Sequence, residues 1–432
     1  MRTSECGDAA SKRPPSRSLL DDVVTDAPWV AVVDGFRTRQ PRRRDRIAEY
    51  EGLLDRGEHL RVGAEVLAGC YQPNPPAEGW LNKADGRKKR LFQYQPVDEL
   101  LFRVVNRLMQ PAAVEKASPW CRSFLPGGGA RAAFRSVLAD PDTEPKAALR
   151  LDVRDYFNSI DVRDLLSRLP EPFAEGPVGR LLTTALLDPR VVRSGRIVDG
   201  GRKGVMAGTP IAPMLATLYL RDLDREIAAT GATYARYSDD ILVLAPPGEL
   251  PTVERLVRDR LAERGLDVNE EKSASTAPGE AWDFLGFRYE GGAIGLAPIT
   301  ERKLKAKTTR LARSLLRWRE RKGASSTRTV GAFVRRSNRR LYGVPAERAD
   351  FSWATWFLPM LDLPQGLEGL DHHLQREARY AATGQRTARS RRLVPYSALI
   401  DAGYLPLVSA FWAMQQGTGA YDELVSRRTG LI

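Results

Sequence analysis

The run Tyr234-Ala235-Arg236-Tyr237-Ser238-Asp239-Asp240-Ile241-Leu242-Val243-Leu244 constrains the fold of this chain more than any other stretch. Residues that favour β structure lead into two adjacent carboxylates, and Ile241 to Ala245 leaves apolar on both faces, so the run predicts a buried hairpin with its acids on the tight turn. Two acids at a hairpin tip are costly to hold together. Like charges a few Å apart oppose joint ionisation, and a bound divalent cation is the usual remedy. Taken alone, an Asp-Asp turn is equally an ordinary solvated hairpin tip. The choice rests on whether the rest of the chain supplies partners for a metal site.

Ala147 to Val153 reads as a second informative strand. Leu149, Leu151 and Val153 point to one side while Ala148, Arg150 and Asp152 point to the other, so Asp152 is expected at the strand's C-terminal end on the non-core face. The following Asp155-Tyr156-Phe157-Asn158-Ser159-Ile160 turns toward a helix that Asp161 can cap, with Asp164 at its third position. Between these acids and the hairpin lies a Gly/Pro-punctuated loop, Lys203 to Pro213. It opens into an expected long helix carrying Met214, Leu215, Leu218, Tyr219 and Leu223. Downstream, Lys272 sits in a loop, and Trp282 to Tyr289, centred on Phe284-Leu285-Gly286-Phe287, reads as a strand.

The remaining segments set the chemical context. The chain has 432 residues, 42% of them hydrophobic, enough for two or three subdomains, and its net charge of +13 favours a polyanionic partner, nucleic acid before membrane. Part of that charge is compositional, since Arg greatly outnumbers Lys in an Ala-rich chain. Cys6, Cys70 and Cys121 are too few and scattered for a disulfide framework or a four-cysteine zinc site, which fits a reducing cytoplasm. No apolar run approaches the roughly 20 residues that span a bilayer, so a soluble protein is expected. Residues 1–45 read as a basic, partly disordered arm, and Asp45 to Leu67 as helical. Lys83 to Phe92 reads as a β-hairpin with a basic tip around Asp85-Gly86, and Asp98 as the N-cap of a helix that Pro111 ends. From Lys303 to Arg321 the spacing predicts a helix with Lys303, Lys307, Arg310, Arg317 and Arg321 on one face and Leu304, Leu311, Leu315 and Trp318 on the neighbouring stripe. Beyond residue 344 come the aromatics Phe351, Trp353, Trp356 and Phe357, an Arg-rich loop from Arg386 to Arg392, and Tyr404 to Trp412, all read as helical core apart from the loop. His372-His373 lacks a third ligand and is assigned no metal.

In order, the pieces are a basic finger hairpin, Asp152 on a strand, a Gly-Thr-Pro loop entering a helix, Tyr237-Ser238-Asp239-Asp240 on a hairpin, a lysine, and Phe284-Leu285-Gly286-Phe287. That order resembles the reverse transcriptases of bacterial retroelements, over roughly residues 80 to 343. The resemblance implies an α+β right-hand polymerase. Fingers would occupy 46–145, an antiparallel-sheet palm 146–298 and thumb helices 299–343, with a helical C-terminal extension at 344–432. It implies an RNA-directed DNA polymerase extending a primer with dNTPs. Asp152, Asp239 and Asp240 match the metal-binding aspartates of a site with two Mg²⁺ ions, Mn²⁺ being the alternative.

On the same resemblance, Lys83 and Arg90 match the basic finger positions that grip the triphosphate, Phe157 the aromatic beneath the sugar, and Lys272 the lysine near the triphosphate. Phe284 to Phe287 match the primer-grip hairpin, and the basic face from Lys303 to Arg321 is expected to track the template-primer backbone. A rigid aromatic at Phe157 leaves no room for a 2′-hydroxyl and no partner for it. Gly208 keeps the glycine of a loop in which many relatives have Gln-Gly, but Ala207 replaces the amide, and Ser238 replaces the more usual Ala. The expected partners are an RNA template, a DNA or RNA primer and dNTPs, with a dedicated non-coding RNA or an accessory protein left open and no membrane. The layout looks most like defence-associated or unassigned-group enzymes related to those of group II introns, which points to antiviral defence. Two other activities stay open: an intron maturase-like RNA-binding protein, and a template-independent or protein-primed nucleotidyl transferase.

Overall fold

A computed structural model describes residues 18–82, 86, 88–143, 145–201, 203–343 and 352–429. The chain divides into two compact units, each assembled from three separate segments. The first comprises Met1–Gly129, Val153–Ile227 and Leu256–Val268, and the second Ala130–Asp152, Ala228–Arg255 and Asn269–Ile432. Residues 130–145 go with the second unit and 153–227 with the first. Both units mix helices with sheets built from antiparallel strand pairs.

In the first unit, the segment expected to be an arm contains the helix Asp26–Arg39, which buries Trp29, Val32, Val33 and Phe36. Their spacing of three, four and seven residues makes a helical stripe that the charged surroundings disguise in a composition-based reading. Arg44–Asp55 and Glu58–Ala68 follow as helices. The basic hairpin forms as expected, Ala77–Asn82 pairing with Lys88–Gln93 in register Leu81↔Lys89. A second hairpin, Arg190–Arg193 with Arg196–Asp199, extends it to four strands through a parallel pairing at Ala77↔Val192.

Two helix boundaries differ from expectation here. Gln95, not Asp98, caps the helix, and Pro111 does not end it, since it runs Pro96–Lys116. Asp98 is instead fully buried, accepting hydrogen bonds from the Tyr71 hydroxyl at 2.7 Å and the Asn74 side chain at 2.9 Å. A buried carboxylate with such partners is worth more to the fold than an exposed cap. The expected long helix after Pro213 is the short Ala212–Tyr219, stopped at Leu220, with Leu223 in the separate helix Arg221–Ala229.

In the second unit, the strands Thr233–Tyr237, Asp240–Ala245, Ala147–Asp152 and Ala274–Thr276 lie side by side in that order, all antiparallel. The β-branched and apolar run from Ile241 to Ala245 is buried throughout, as a central strand covered on both faces must be. Helix Ala130–Leu138 packs on the Thr233 strand, and Asp140 binds both Thr233 and Lys146, tying together the outer ends of two strands. The expected single strand Trp282–Tyr289 is a hairpin, Trp282–Phe284 with Phe287–Glu290, extended by Ala293–Leu296. Leu285 and Gly286 both have positive φ, 51° and 91°, the signature of a type I′ turn.

Helix Pro298–Lys322 has Pro in its first turn, no helix breaker inside, and Gly323 at φ 60° just past its end. It packs on Ser326–Tyr342, capped by the Ser325 side chain, and on Leu367–Thr383. One apolar core runs from Ala235, Leu242 and Leu244 through Phe284, Phe287 and Leu315 to Phe411 and Val425. Residues 352–429 are therefore built into the same core as the sheet that carries Asp152. Each fully buried large apolar side chain in it contributes roughly 1.5–3 kcal/mol relative to exposure.

Candidate active site

The carboxylates are placed by strand register. Asp152 ends its strand directly opposite Asp240, the first residue of the neighbouring strand, so the two side chains project from the same face. Ser238 and Asp239 make the two-residue turn that joins Tyr237 to Asp240. Ser238 has φ 61° and is only 5% exposed, a conformation that costs a non-glycine residue strain of the kind that concentrates at functional sites. Beneath the turn, fully buried Arg236 donates from Nη1 to the Ser238 carbonyl at 3.3 Å. The expectation of a non-core face for Asp152 is corrected. Ala148, Leu242 and Leu244 on that face belong to the core, and Asp152 is buried because helices and sheet cover both sides.

Asp152 is held from two directions. Asn269 donates from Nδ2 to its carboxylate at 3.0 Å and from its backbone N–H to the Asp152 carbonyl at 2.7 Å. Lys272 Nζ bridges both carboxylate oxygens at 2.8 and 2.7 Å. Arg150, two residues back on the same face, donates to the Lys272 carbonyl at 2.7 Å and to the Asp283 carbonyl at 3.2 Å, which fixes the loop presenting that lysine.

The cluster carries more negative charge than its surroundings balance. Burial, then Asp239 and Asp152, push the Asp240 carboxyl up to about 7, against opposing pulls from Lys272 and Arg150. Burial chiefly, with help from Asp152, raises the Asp239 carboxyl as well. Among the described residues no three His, Cys, Asp or Glu side chains already form a closed metal cage, and the Asp152 carboxylate is bonded to Lys272. The donor set nevertheless suits a hard divalent cation. It is all carboxylate oxygen, and a carboxyl that holds its proton up to about pH 7 signals an unmet demand for positive charge.

A second group of sequence-predicted residues lies in the first unit. The Phe157 ring is half-buried, edge-on to Phe124 at 6.1 Å and Tyr156 at 5.8 Å, with Lys89 Nζ 5.6 Å above it. The Phe157 carbonyl accepts from the Val205 N–H at 2.9 Å, and a Cβ on Gly204 would collide with that carbonyl oxygen. Gly208 has φ +101°, and the Phe92 N–H donates to the Ala207 carbonyl at 2.8 Å, so the loop lies flat against the basic hairpin. Arg90 is committed elsewhere, to Glu78 at 2.8 Å and the Gly200 carbonyl at 2.7 Å. Lys83 lies outside the described residues.

The basic face forms on the Pro298–Lys322 helix. Lys303, Lys307, Arg310, Arg317 and Arg321 are all exposed, and none makes an ion pair with a described residue. The neighbouring stripe is partly as read, with Leu304 and Leu315 buried and Leu311 and Trp318 packed half-buried against the core.

Residues 86–289 match the family described as reverse transcriptase (RNA-dependent DNA polymerase). Among curated proteins the chain is similar to Protein YkfC of Escherichia coli (strain K12), 24% identical over 169 residues, which are 37% of this chain and 43% of that protein. The chain thus spans less than half the length of that relative. Among solved structures it is similar to apo telomerase from Candida tropicalis truncated from its C-terminal domain, with TM-score 0.42 and 11% identity over 52% of this chain and 56% of that one.

Within the matched segment, sequence reasoning missed Asn269, Arg150 and Arg236. Asn269 is three residues before Lys272, and that spacing is the one local signal that links the pair. Arg236 sits inside an apolar strand pattern, where a charged residue is the exception that asks for a reason. Arg150 was read as facing Asp152's side, but the backbone carbonyls it binds come from residues 272 and 283 and have no trace in sequence.

Proposed function

We propose that the chain is an RNA-directed DNA polymerase that extends a primer with dNTPs, with Asp152, Asp239 and Asp240 as ligands for two Mg²⁺ ions. The observation that carries this is the register that faces Asp152 with Asp240 beside a turn bearing Asp239, inside the segment that matches the reverse transcriptase family. When bound, such ions activate the primer 3′-hydroxyl and stabilise the leaving pyrophosphate of an in-line displacement. The three carboxylates supply the oxygen ligands, and Asn269 keeps the Asp152 carboxylate oriented. Lys272, whose side chain is 48% exposed, would release Asp152 as an oxygen ligand and turn to neutralise the triphosphate oxygens. In the basic hairpin, Lys89 is the cation that meets phosphate, since Arg90 is occupied by Glu78 and the Gly200 carbonyl. Phe157 selects deoxyribose by excluding the 2′-hydroxyl.

The four-stranded antiparallel sheet is the palm on this reading, and Pro298–Lys322 with Ser326–Tyr342 form the thumb, whose exposed cations follow the template-primer backbone. Antiviral defence is the biological setting, supported by the resemblance in layout. The test is primer extension on an RNA template with Mg²⁺, comparing the protein with Asp239→Asn and Phe157→Val. Asp239→Asn should slow extension on the order of a thousand-fold or more in a protein that melts no lower than the parent, because charge stabilisation is the main source of rate and the cluster loses a repelling carboxylate. Phe157→Val should raise ribonucleotide use at least tens-fold. Normal extension by Asp239→Asn would end the polymerase reading, and an unchanged sugar ratio would end the role of Phe157.

A further inference from the structure

The second unit contains a cavity of about 820 Å³, outside the matched segment, between helices Pro298–Lys322, Leu367–Thr383 and Ala388–Leu393. The last of these replaces the Arg-rich loop read from sequence. Lys305, Arg376, Arg379, Arg386 and Arg391 line the cavity together with His372, and no acidic side chain is among the lining residues.

The charges are held in place from behind. Glu377, 1% exposed, receives Arg386 at 2.8 and 3.0 Å, and Arg386 lies 3.6 Å above the Tyr380 ring. His373 Nδ1 accepts from Arg376 at 3.1 Å, while its Nε2 lies 3.1 Å from the Lys305 carbonyl, which orients Arg376 at the wall. Arg379 is the decisive group. It is only 9% exposed, its Nε donates to the Val394 carbonyl at 3.0 Å, and its terminal amino groups have no acceptor among the described residues. Burial first, and Arg391 beside it, lower its proton affinity. A buried guanidinium next to a second one is an expensive arrangement unless an anion completes it.

The geometry points to a binding site for an oligophosphate group, recognised by its charge and not by its base. Several converging guanidinium forks suit a multiply charged, multi-oxygen anion, whereas a single carboxylate would neutralise only one of them. The volume exceeds that of one phosphate. Among the described residues no Phe, Tyr or Trp side chain lines the cavity as a stacking platform for a nucleobase. The group is carried either by a free nucleoside triphosphate or by the 5′-triphosphate end of an RNA.

The test measures binding of inorganic tripolyphosphate, ATP, and one RNA prepared with a 5′-triphosphate or a 5′-hydroxyl, all in EDTA so that the carboxylate cluster takes no part. Saturable tripolyphosphate binding by the full chain, weakened at least tenfold in Arg376→Ala/Arg391→Ala, is the expected result. Arg302→Ala/Arg313→Ala removes the same charge from exposed positions on Pro298–Lys322 and should bind like the parent. All four substituted side chains belong to exposed residues, and melting curves report whether each variant stays folded. A tenfold preference for the 5′-triphosphate RNA over its 5′-hydroxyl form assigns the RNA end, and ATP binding with no dependence on the RNA end assigns the free nucleotide. Equal tripolyphosphate binding by the parent and Arg376→Ala/Arg391→Ala, or none by the parent, overturns the proposal. Primer extension plays no part in these readouts, so they stand or fall separately from the polymerase reading.

Discussion

The second unit holds two clusters of like charge and opposite sign, and they are balanced differently. Around Asp152, Asp239 and Asp240 the balancing cation is Lys272, on a side chain 48% exposed to solvent. Around Arg376, Arg379, Arg386 and Arg391 the balancing anion is Glu377, 1% exposed and paired at 2.8 Å. A half-exposed lysine is re-solvated when it leaves, while buried Asp152 then needs another cation in its place, whereas a buried glutamate cannot leave. The acid cluster is therefore made to trade one cation for another, and the basic cavity is made to keep its cations spread until an outside anion arrives.

Lys272→Met gives the sharpest break in that comparison. Loss of the exchanging cation should lower kcat/KM for dNTP by about ten- to a hundred-fold, roughly 1.4–3 kcal/mol of transition-state binding. Without metal the folded state should also lose roughly 1–3 kcal/mol, because buried Asp152 is left without its cation although Lys272 itself is half exposed. Steady-state kinetics and denaturant melts on the same preparation separate the two, and a stability loss with unaltered kinetics would make Lys272 a structural counter-ion.

The exposed cations of Pro298–Lys322 are a third case, charges with no ion-pair partner among the described residues. Arg310→Glu/Arg317→Glu should weaken template-primer binding and flatten its salt dependence by about two units of log–log slope, one for each phosphate that is no longer neutralised. Affinity and slope both equal to the parent's would show a face that is merely solvated.

The smallest expected effect is on thermal stability. The Asp240 carboxyl is raised to about 7, above the roughly 3.9 of an unfolded aspartate. Between those values the folded protein holds a proton that the unfolded chain has released. This contribution to stability is thus fully present below the lower value and is lost as pH rises through about 7. In EDTA the melting temperature should fall by a few degrees from pH 5.5 to pH 8, and Mg²⁺ at pH 8 should restore it. Asp240→Asn should remove this component, and a parent whose pH profile matches that of Asp240→Asn would show that the carboxyl is not strained.

Much of the acid cluster was legible in the sequence. The Tyr234–Ala245 hairpin forms where its pattern puts it, Asp161 caps the helix Val162–Arg168 through the N–H groups of Arg163 and Asp164, and the Pro298–Lys322 helix presents its five cations to solvent. These are local consequences of a period of two or 3.6 and of cap chemistry. The failures share a cause as well. Asp98 looks like a cap because Asp often is one, and only the approach of Tyr71 and Asn74 makes it a buried anchor. Trp282 to Tyr289 looks like one strand because most of its residues suit one, and the turn at Leu285-Gly286 emerges only once Phe284 pairs with Phe287.

The sequence by itself determined which carboxylates stand at strand ends and which cations share a helix face, since backbone periodicity sets both without reference to distant residues. Tertiary structure decided everything that depends on who meets whom. Register placed Asp152 opposite Asp240, the loop at Asn269 and Lys272 folded back onto Asp152, and Arg90 was drawn to Glu78. The basic cavity belongs wholly to this second kind. Lys305 and Arg391 are separated by more than eighty positions, and only packing of their helices against the shared core turns scattered arginines into one electrostatic site.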